Sequence, residues 1–466
     1  MNWKMKIQLL VCLLMLCFSS KVFSQTLTIQ EAIDKGVANY QIIKAKNSYV
    51  EASKENIARA KQEYLPNLNL SAQQTYGTVN GQNGPAYGLG GLGVASSGLP
   101  LPEQNWNAAF GALYLVNVNW EFFNFGRTQQ QVNVAKSQAA ILEKDYEQEL
   151  FQHKIKIAAA YLNLLASQRL LQTQEKNSTR VEVFYNNIAT RVKNGLLPGV
   201  DEKMALAEVS KAKITLNQIK EQVKVQNNEL ITLLGEVDNT ILTDTTYIGK
   251  IPTLLNLETT DSSNQNHPTV QYFQSRINQG LEQEKLFKKE ALPSFQVFGI
   301  YQTRASGFSS NYAVDQSSYS HNYLDGISPT RQNYLFGFGA VWNLTSISRT
   351  SKKVNNQKLI NNGLQEELKA IEIELQNREN TANTRLALAT ENANEAPLQV
   401  NAAQQAYIQR STLYNNGLNT ITDVTNTLYL LNRAEVDRDI AFANVWQALL
   451  MKAAAAGDFN LFTNAL

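Results

Sequence analysis

The side chains that carry most protein chemistry are scarce and scattered in this 466-residue chain. Its two cysteines, Cys12 and Cys17, sit near the start, and its three histidines, His153, His267 and His321, share no ligand spacing. A thiolate nucleophile, a zinc site or an assembled acid–base pair has no constellation to work with, so no metal, cofactor or catalytic residue is assigned. Gly88, Gly90 and Gly93 spell G-x-G-x-x-G, but Ser96, Ser97, Gly98 and Pro100 follow where dinucleotide binding needs a helix, so the segment reads as a loop. Spacing is informative at Asp201 and Asp423, each six positions beyond a glycine, Gly195 and Gly417. A carboxylate entering a helix can cap its free N–H groups or present charge to passing ions.

The two aspartates are 222 positions apart, and the same interval pairs Trp120 with Trp342, Arg127 with Arg349, Leu164 with Leu386, Asn194-Gly195-Leu196 with Asn416-Gly417-Leu418, and Gly235 with Gly457. Upstream the interval becomes 227, matching Leu65-Pro66 with Leu292-Pro293, which predicts a variable loop between Pro66 and Trp120. Such self-similarity marks two copies of one architecture. The expected division is a signal peptide at 1–24, a first repeat at 25–235, a linker or collar at 236–265 and a second repeat at 266–466.

The leader assignment rests on Lys4 and Lys6, the apolar run from Ile7 to Phe18 and a small residue, Ser24, at its end. Both cysteines fall inside it. Lipidation at Cys17 is disfavoured by the bulky Leu16 before it. Without Lys4, Lys6 and Lys21, 39 basic residues oppose 40 acidic ones, a charge of −1. A nearly neutral exported chain has no field to draw nucleic acid.

Arg127 to Asn194 keeps a three-four apolar stripe through Val132, Leu142, Ile157, Leu164, Val181 and Ile188, and Arg349 to Asn416 repeats it through Val354, Leu364, Leu375, Leu386 and Tyr414. At 1.5 Å per residue each rod would reach about 100 Å, too long for a compact globule. Pro397 is expected to kink or restart the second rod. Shorter helices are expected over Thr28–Glu63, Asp201–Leu234, His267–Ala291 and Thr422–Ala456, stacked end to end against the rods. Gly195 and Gly417 supply left-handed caps where the chain reverses, with Asp201 and Thr422 as N-caps of the returning helices.

Between helices the period changes to two. Leu68, Leu70 and Ala72 alternate with polar residues, as do Val118, Trp120 and Phe122, then Phe295, Val297 and Tyr301, then Tyr334, Phe336, Phe338 and Trp342. Four strands of about ten residues fit a tilted membrane crossing, with Trp120, Phe122, Tyr334 and Trp342 as an interfacial aromatic girdle. Four strands leave two open edges, which hydrocarbon does not tolerate. Closure needs further copies, and a trimer gives twelve strands. The Gly-, Ser- and Pro-rich segment 77–107 and the Ser-, Tyr- and Asn-rich segment 304–332 are expected as long solvated loops on one rim.

Strands feeding helical rods, twice over, behind a leader, resemble the TolC family of outer-membrane efflux proteins across essentially the whole mature chain. The most specific residues are the turns Gly195-Leu196 with Asp201 and Gly417-Leu418 with Asp423, the latter preceded by Tyr414. The resemblance implies a mixed fold, a homotrimeric twelve-stranded β-barrel in the cell outer membrane set on a coiled-coil helical tunnel in the periplasm. It also implies a passive exit duct of a tripartite efflux or type I secretion system, reached through a periplasmic adaptor and, indirectly, an inner-membrane transporter. By position, Gly195, Leu196, Gly417 and Leu418 resemble adaptor-docking sites, Tyr414 and Asp201 the bonded pair that closes the tip, and Asp423 the acidic ring at its constriction. Asn419 stands where an arginine lock is known and Asn426 where a second acidic ring is known, which implies a weaker lock and a less acidic constriction.

Three Asp423 copies around an axis would repel one another and attract cations; simple helix capping is the plainer role. A structural exported coiled-coil or adhesin stalk would explain the rods but not the aromatic strand faces. An enzyme is the third reading. The cargo is not legible.

Overall fold

The computed structural model describes residues 26–81, 99–237, 240–245, 251–252 and 264–466. The leader at 1–24, the glycine motif at 88–93 and most of the expected collar lie outside the described residues. In chain order the elements are α1 (Ile29–Asn39), α2 (Gln41–Gln62), β1 (Asn67–Thr78), β2 (Ala108–Phe123), α3 (Arg127–Lys193), α4 (Gly199–Leu234), α5 (Pro268–Glu290), β3 (Ser294–Ser306), α6 (Tyr323–Ile327), β4 (Arg331–Val341), α7 (Ser346–Asn415), α8 (Ile421–Ala456) and α9 (Asn460–Thr463). They belong to two compact units, one of Met1–Glu51, Ala140–Ile277 and Gly363–Leu466, the other of Ala52–Ala139 and Asn278–Asn362.

The first unit is helical. Its apolar stripes converge on a core of Ile33, Tyr161, Leu164, Leu230, Leu234, Leu449 and Phe462, all at most 2% exposed, and each fully buried large side chain contributes about 1.5–3 kcal/mol. Tyr161 Oη donates to Leu27 O (2.7 Å) and accepts from Asp244 N–H (3.0 Å), tying the segment before α1 and residues 240–245 to α3. The helix expected over Thr28–Glu63 instead breaks at Tyr40, the C-cap of α1. Tyr40 stacks on His153 with ring centroids 3.8 Å apart, a tertiary contact that overrides local periodicity. Pro397 lies inside α7 without ending it, because the stripe keeps its phase across it, with Ala393 and Ala396 buried just before and Val400 and Ala403 half-buried after. Expectation is corrected again at two helix starts. Thr420, not Thr422, caps α8, and the N-cap of α4 is Pro198, which leaves Asp201 inside the first turn.

The second unit holds one antiparallel sheet in the order β1-β2-β3-β4. Register is continuous from Asn67↔Asn119 to Thr78↔Ala108 and from Ser294↔Val341 to Arg304↔Arg331. Trp120 N–H donates to Tyr64 O (2.8 Å) and Trp342 N–H to Ala291 O (3.0 Å), so each tryptophan pins the chain where a helix hands over to a strand. The loop expected over 304–332 joins β3 to β4 and has structure of its own. A Phe308↔Tyr319 bridge, a cluster of Phe308, Tyr312 and Tyr319 rings and the helix α6 fold it into structure. No helix among the described residues is long and apolar enough to cross a membrane.

Candidate functional site

Two features of the chain bear on function, the hairpin turns of the helical unit and the faces of the sheet. At the first turn α3 ends on Gly195 (φ 71°), whose N–H donates to Val192 O while Leu196 N–H donates to Arg191 O, both at 2.9 Å. At the second, α7 ends on Gly417 (φ 76°), with Gly417 N–H to Tyr414 O and Leu418 N–H to Leu413 O, again at 2.9 Å. This paired bonding is the Schellman motif, which needs a residue at positive φ and so favours glycine. Leu196 and Leu418 follow at 67% and 74% exposure, bare apolar tips on both turns.

The returning helices start differently. Thr420 and Asp423 form a capping box: Asp423 N–H donates to Thr420 Oγ1 (3.3 Å), and Thr420 N–H (3.2 Å) and Oγ1–H (2.6 Å) both donate to Asp423 Oδ2. The Thr420 hydroxyl and then its backbone N–H hold the Asp423 carboxyl below its ordinary value. Pro198 has neither hydroxyl nor N–H to offer, and Asp201 Oδ2 accepts instead from Tyr414 Oη at 2.8 Å. Burial first, and the Asp201 hydrogen bond second, push the Tyr414 phenol well above its usual range. Tyr414 is buried with Ile188, Ala205, Ile421 and Val424.

The structure therefore brings Tyr414 and Asp201 together and keeps Asp423 on its own helix. Asn426 is exposed, and Asn419 is partly buried with its amide nitrogen unpartnered. An arginine does bridge the two hairpins, from a position sequence reasoning missed. Arg191 Nη1 donates to Asn415 Oδ1 (3.2 Å) and Nη2 to Asn415 O (3.3 Å). Thr420 was also missed as a cap, although the T-x-x-D spacing to Asp423 signals it. His153 and His267 are each packed away from the other, and His321 is exposed. Burial lowers the pKa of His153 and of His267, whose Nδ1 accepts from Thr269 N–H at 3.1 Å.

In the sheet the register puts Leu68, Leu70, Val116, Val118, Val297, Phe336 and Phe338 on one face. The other, more polar face carries Asn67, Asn69, Asn117, Asn119, Gln296 and Asn333, together with Leu113, Leu115, Phe298, Ile300 and Leu335. Leu70, Phe336 and Phe338 are more than three-quarters exposed. The expected girdle divides. Trp120, Phe122 and Trp342 sit at the end joined to helices, and Tyr334, opposite Tyr301, lies toward the far end. A register shift between Trp120 and Phe123 puts Phe123, not Phe122, opposite Phe295, so the period-two reading of Phe122 fails at a β-bulge.

One four-stranded sheet with a largely apolar face, in a chain with long helical hairpins, is the fold this chain shares with solved outer-membrane channels. Residues 32–236 match the family model described as Outer membrane efflux protein. The fold is shared with VceC from Vibrio cholerae (16% identity, 92% of this chain and 96% of that one, TM-score 0.71), CmeC from Campylobacter jejuni (14%, 92% and 85%, 0.72) and MtrE from Neisseria gonorrhoeae (13%, 92% and 89%, 0.72). A comparison with curated proteins found no significant match. Residues 32–236 are thus similar to that family, and the chain as a whole shares the fold of these solved outer-membrane channels.

Proposed function

We propose that three copies of this chain close into a twelve-stranded barrel that continues as a periplasmic helical tunnel, a passive duct closed at its tip. The single observation that carries this reading is the open sheet. β1 and β4 are its edges, and unpaired amides beside an exposed apolar face cost several kcal/mol each in hydrocarbon unless another strand pairs with them. The polar face, with Asn69, Asn117 and Asn333, would then line the lumen.

The Tyr414–Asp201 bond supports a closed resting tip, reinforced by Arg191 on Asn415. Asp423, one per protomer, would form the cation-attracting ring. Leu196 and Leu418 on their glycine turns suit docking of a periplasmic adaptor that links the duct to an inner-membrane transporter, for efflux or type I secretion. The repeats at 25–235 and 266–466, joined by a collar at 236–265, are part of the same proposal, and the matched tryptophan and turn bonds support it. In planar bilayers the purified protein should insert as discrete channels of low resting conductance. Absence of any conductance step from detergent-extracted protein would contradict the duct.

A further inference from the structure

The chain between β3 and β4 leaves the sheet twice, in the turns of 309–318 closed by the Phe308↔Tyr319 bridge and again after Ser320, and the side taken by the second excursion is informative. Pairing continues past Ser306, with Gly307 N–H donating to Phe110 O and Ser320 N–H to Gly307 O, both at 2.8 Å, and it resumes where Thr330 N–H donates to Arg304 O at 2.9 Å. Residues 321–329 form the excursion between these points, and α6 is its centre.

Its contacts fix the face. A Cβ on Gly326 would come within 2.3 Å of Phe110 Cβ, so only glycine allows the approach. Tyr114 Oη donates to Ile327 O (3.3 Å), and Tyr323 Oη donates to Gln74 Oε1 (2.7 Å) with its ring edge-on to Phe110. Phe110, Tyr114 and Gln74 lie in register with Val116 and Leu70 on the apolar face. Ala112 and Ala305 beneath are buried at 8% and 6% exposure. The excursion folds over the face that would meet lipid, not over the polar face.

We propose that α6 is a brim seated in the outer-leaflet interface, with Leu324 (62% exposed) and Tyr323 (44% exposed) entering the boundary between lipid headgroups and acyl chains. The height agrees. Phe110 lies ten positions along β2 from Trp120, about 33 Å of strand and about 25 Å of vertical rise at a tilt of about 40°, the thickness of a barrel's apolar band. The tryptophans mark the lower boundary of that band and α6 the upper one. A tyrosine beside an aliphatic side chain is the composition that interfaces favour. A second copy of the chain does not cover it, because further copies pair at the β1 and β4 edges while the α6 backbone packs on β2 and β3, with the Tyr323 hydroxyl alone reaching Gln74 on β1.

This inference rests on the barrel reading, and its test separates the two. A nitroxide is attached at Leu324→Cys, the sole cysteine beyond residue 17, in full-length protein reconstituted into phosphatidylcholine vesicles. Its collision ratio for oxygen over a water-soluble nickel chelate is compared with labels at Leu70→Cys and Gln73→Cys. A brim gives Leu324 a ratio close to that of Leu70 and several-fold above that of Gln73. A ratio like that of Gln73, with Leu70 still lipid-exposed, overturns the brim and leaves the barrel standing. If Leu70 also reads as aqueous, the barrel reading falls and the brim with it.

Discussion

The two hairpin turns share a backbone and differ in what their side chains do. Gly195 and Gly417 take the same left-handed φ, and both pairs of turn bonds are 2.9 Å long. Two substitutions at matched positions separate them. Where the second turn has Thr420 to occupy the Asp423 carboxylate, the first has Pro198, and Asp201 is left with a free acceptor. Where the first has Val192, the second has Tyr414, which supplies the donor. A duplicated scaffold thus uses one aspartate to start a helix and the other to bind across to its sister hairpin. The contact arises once per protomer.

The largest effect is expected from Tyr414→Phe. A hydrogen bond to a charged acceptor contributes about 1.5 kcal/mol net, roughly tenfold in the closed-to-open ratio per protomer, so resting conductance in bilayers should rise strongly. Val192→Phe, at the matched position, should leave it unchanged; equal effects would erase the distinction between the turns. Asp423→Ala should lower cation selectivity without opening the tip, and unchanged selectivity would remove the acidic ring from the proposal.

Thr420→Ala should cost about 1 kcal/mol of α8 stability through loss of its cap, visible as a lower unfolding midpoint with unchanged resting conductance. The reverse swap, Pro198→Thr, gives Asp201 a capping partner and should weaken its hold on Tyr414, raising conductance less than Tyr414→Phe does. The pH effects are the mildest. Because Tyr414 is raised, its contact is fully present below the ordinary phenol value of 10.0 and is lost as pH climbs through the raised one. Because Asp423 is lowered, its contribution is present above the ordinary carboxyl value of 3.8 and is lost as pH falls through the lowered one. Resting conductance should therefore stay flat from about pH 4 to pH 10.

Periodicity made the rods, the four strands and the glycine turns legible, because a stripe or an alternation over many residues outweighs local noise. It failed where one contact dominates. Tyr40 breaks a helix to stack on His153, Pro397 is carried through by its neighbours, and the bulge after Trp120 turns Phe123 into the place expected for Phe122. At the tip, Gly195, Gly417, Tyr414 and Asp201 stood out by spacing and family resemblance. The capping role of Thr420 was written in the T-x-x-D pattern but was displaced by the neighbouring Thr422. Arg191 on Asn415 and the return of α6 onto the sheet join residues far apart in sequence, and no local pattern announces either.

The claim on which the rest depends is that the free edges of β1 and β4 are paired by other copies. The protein mass of the detergent-extracted particle, with bound detergent subtracted, measures it directly. Three chains per particle is the predicted result, and a particle of one chain would contradict it.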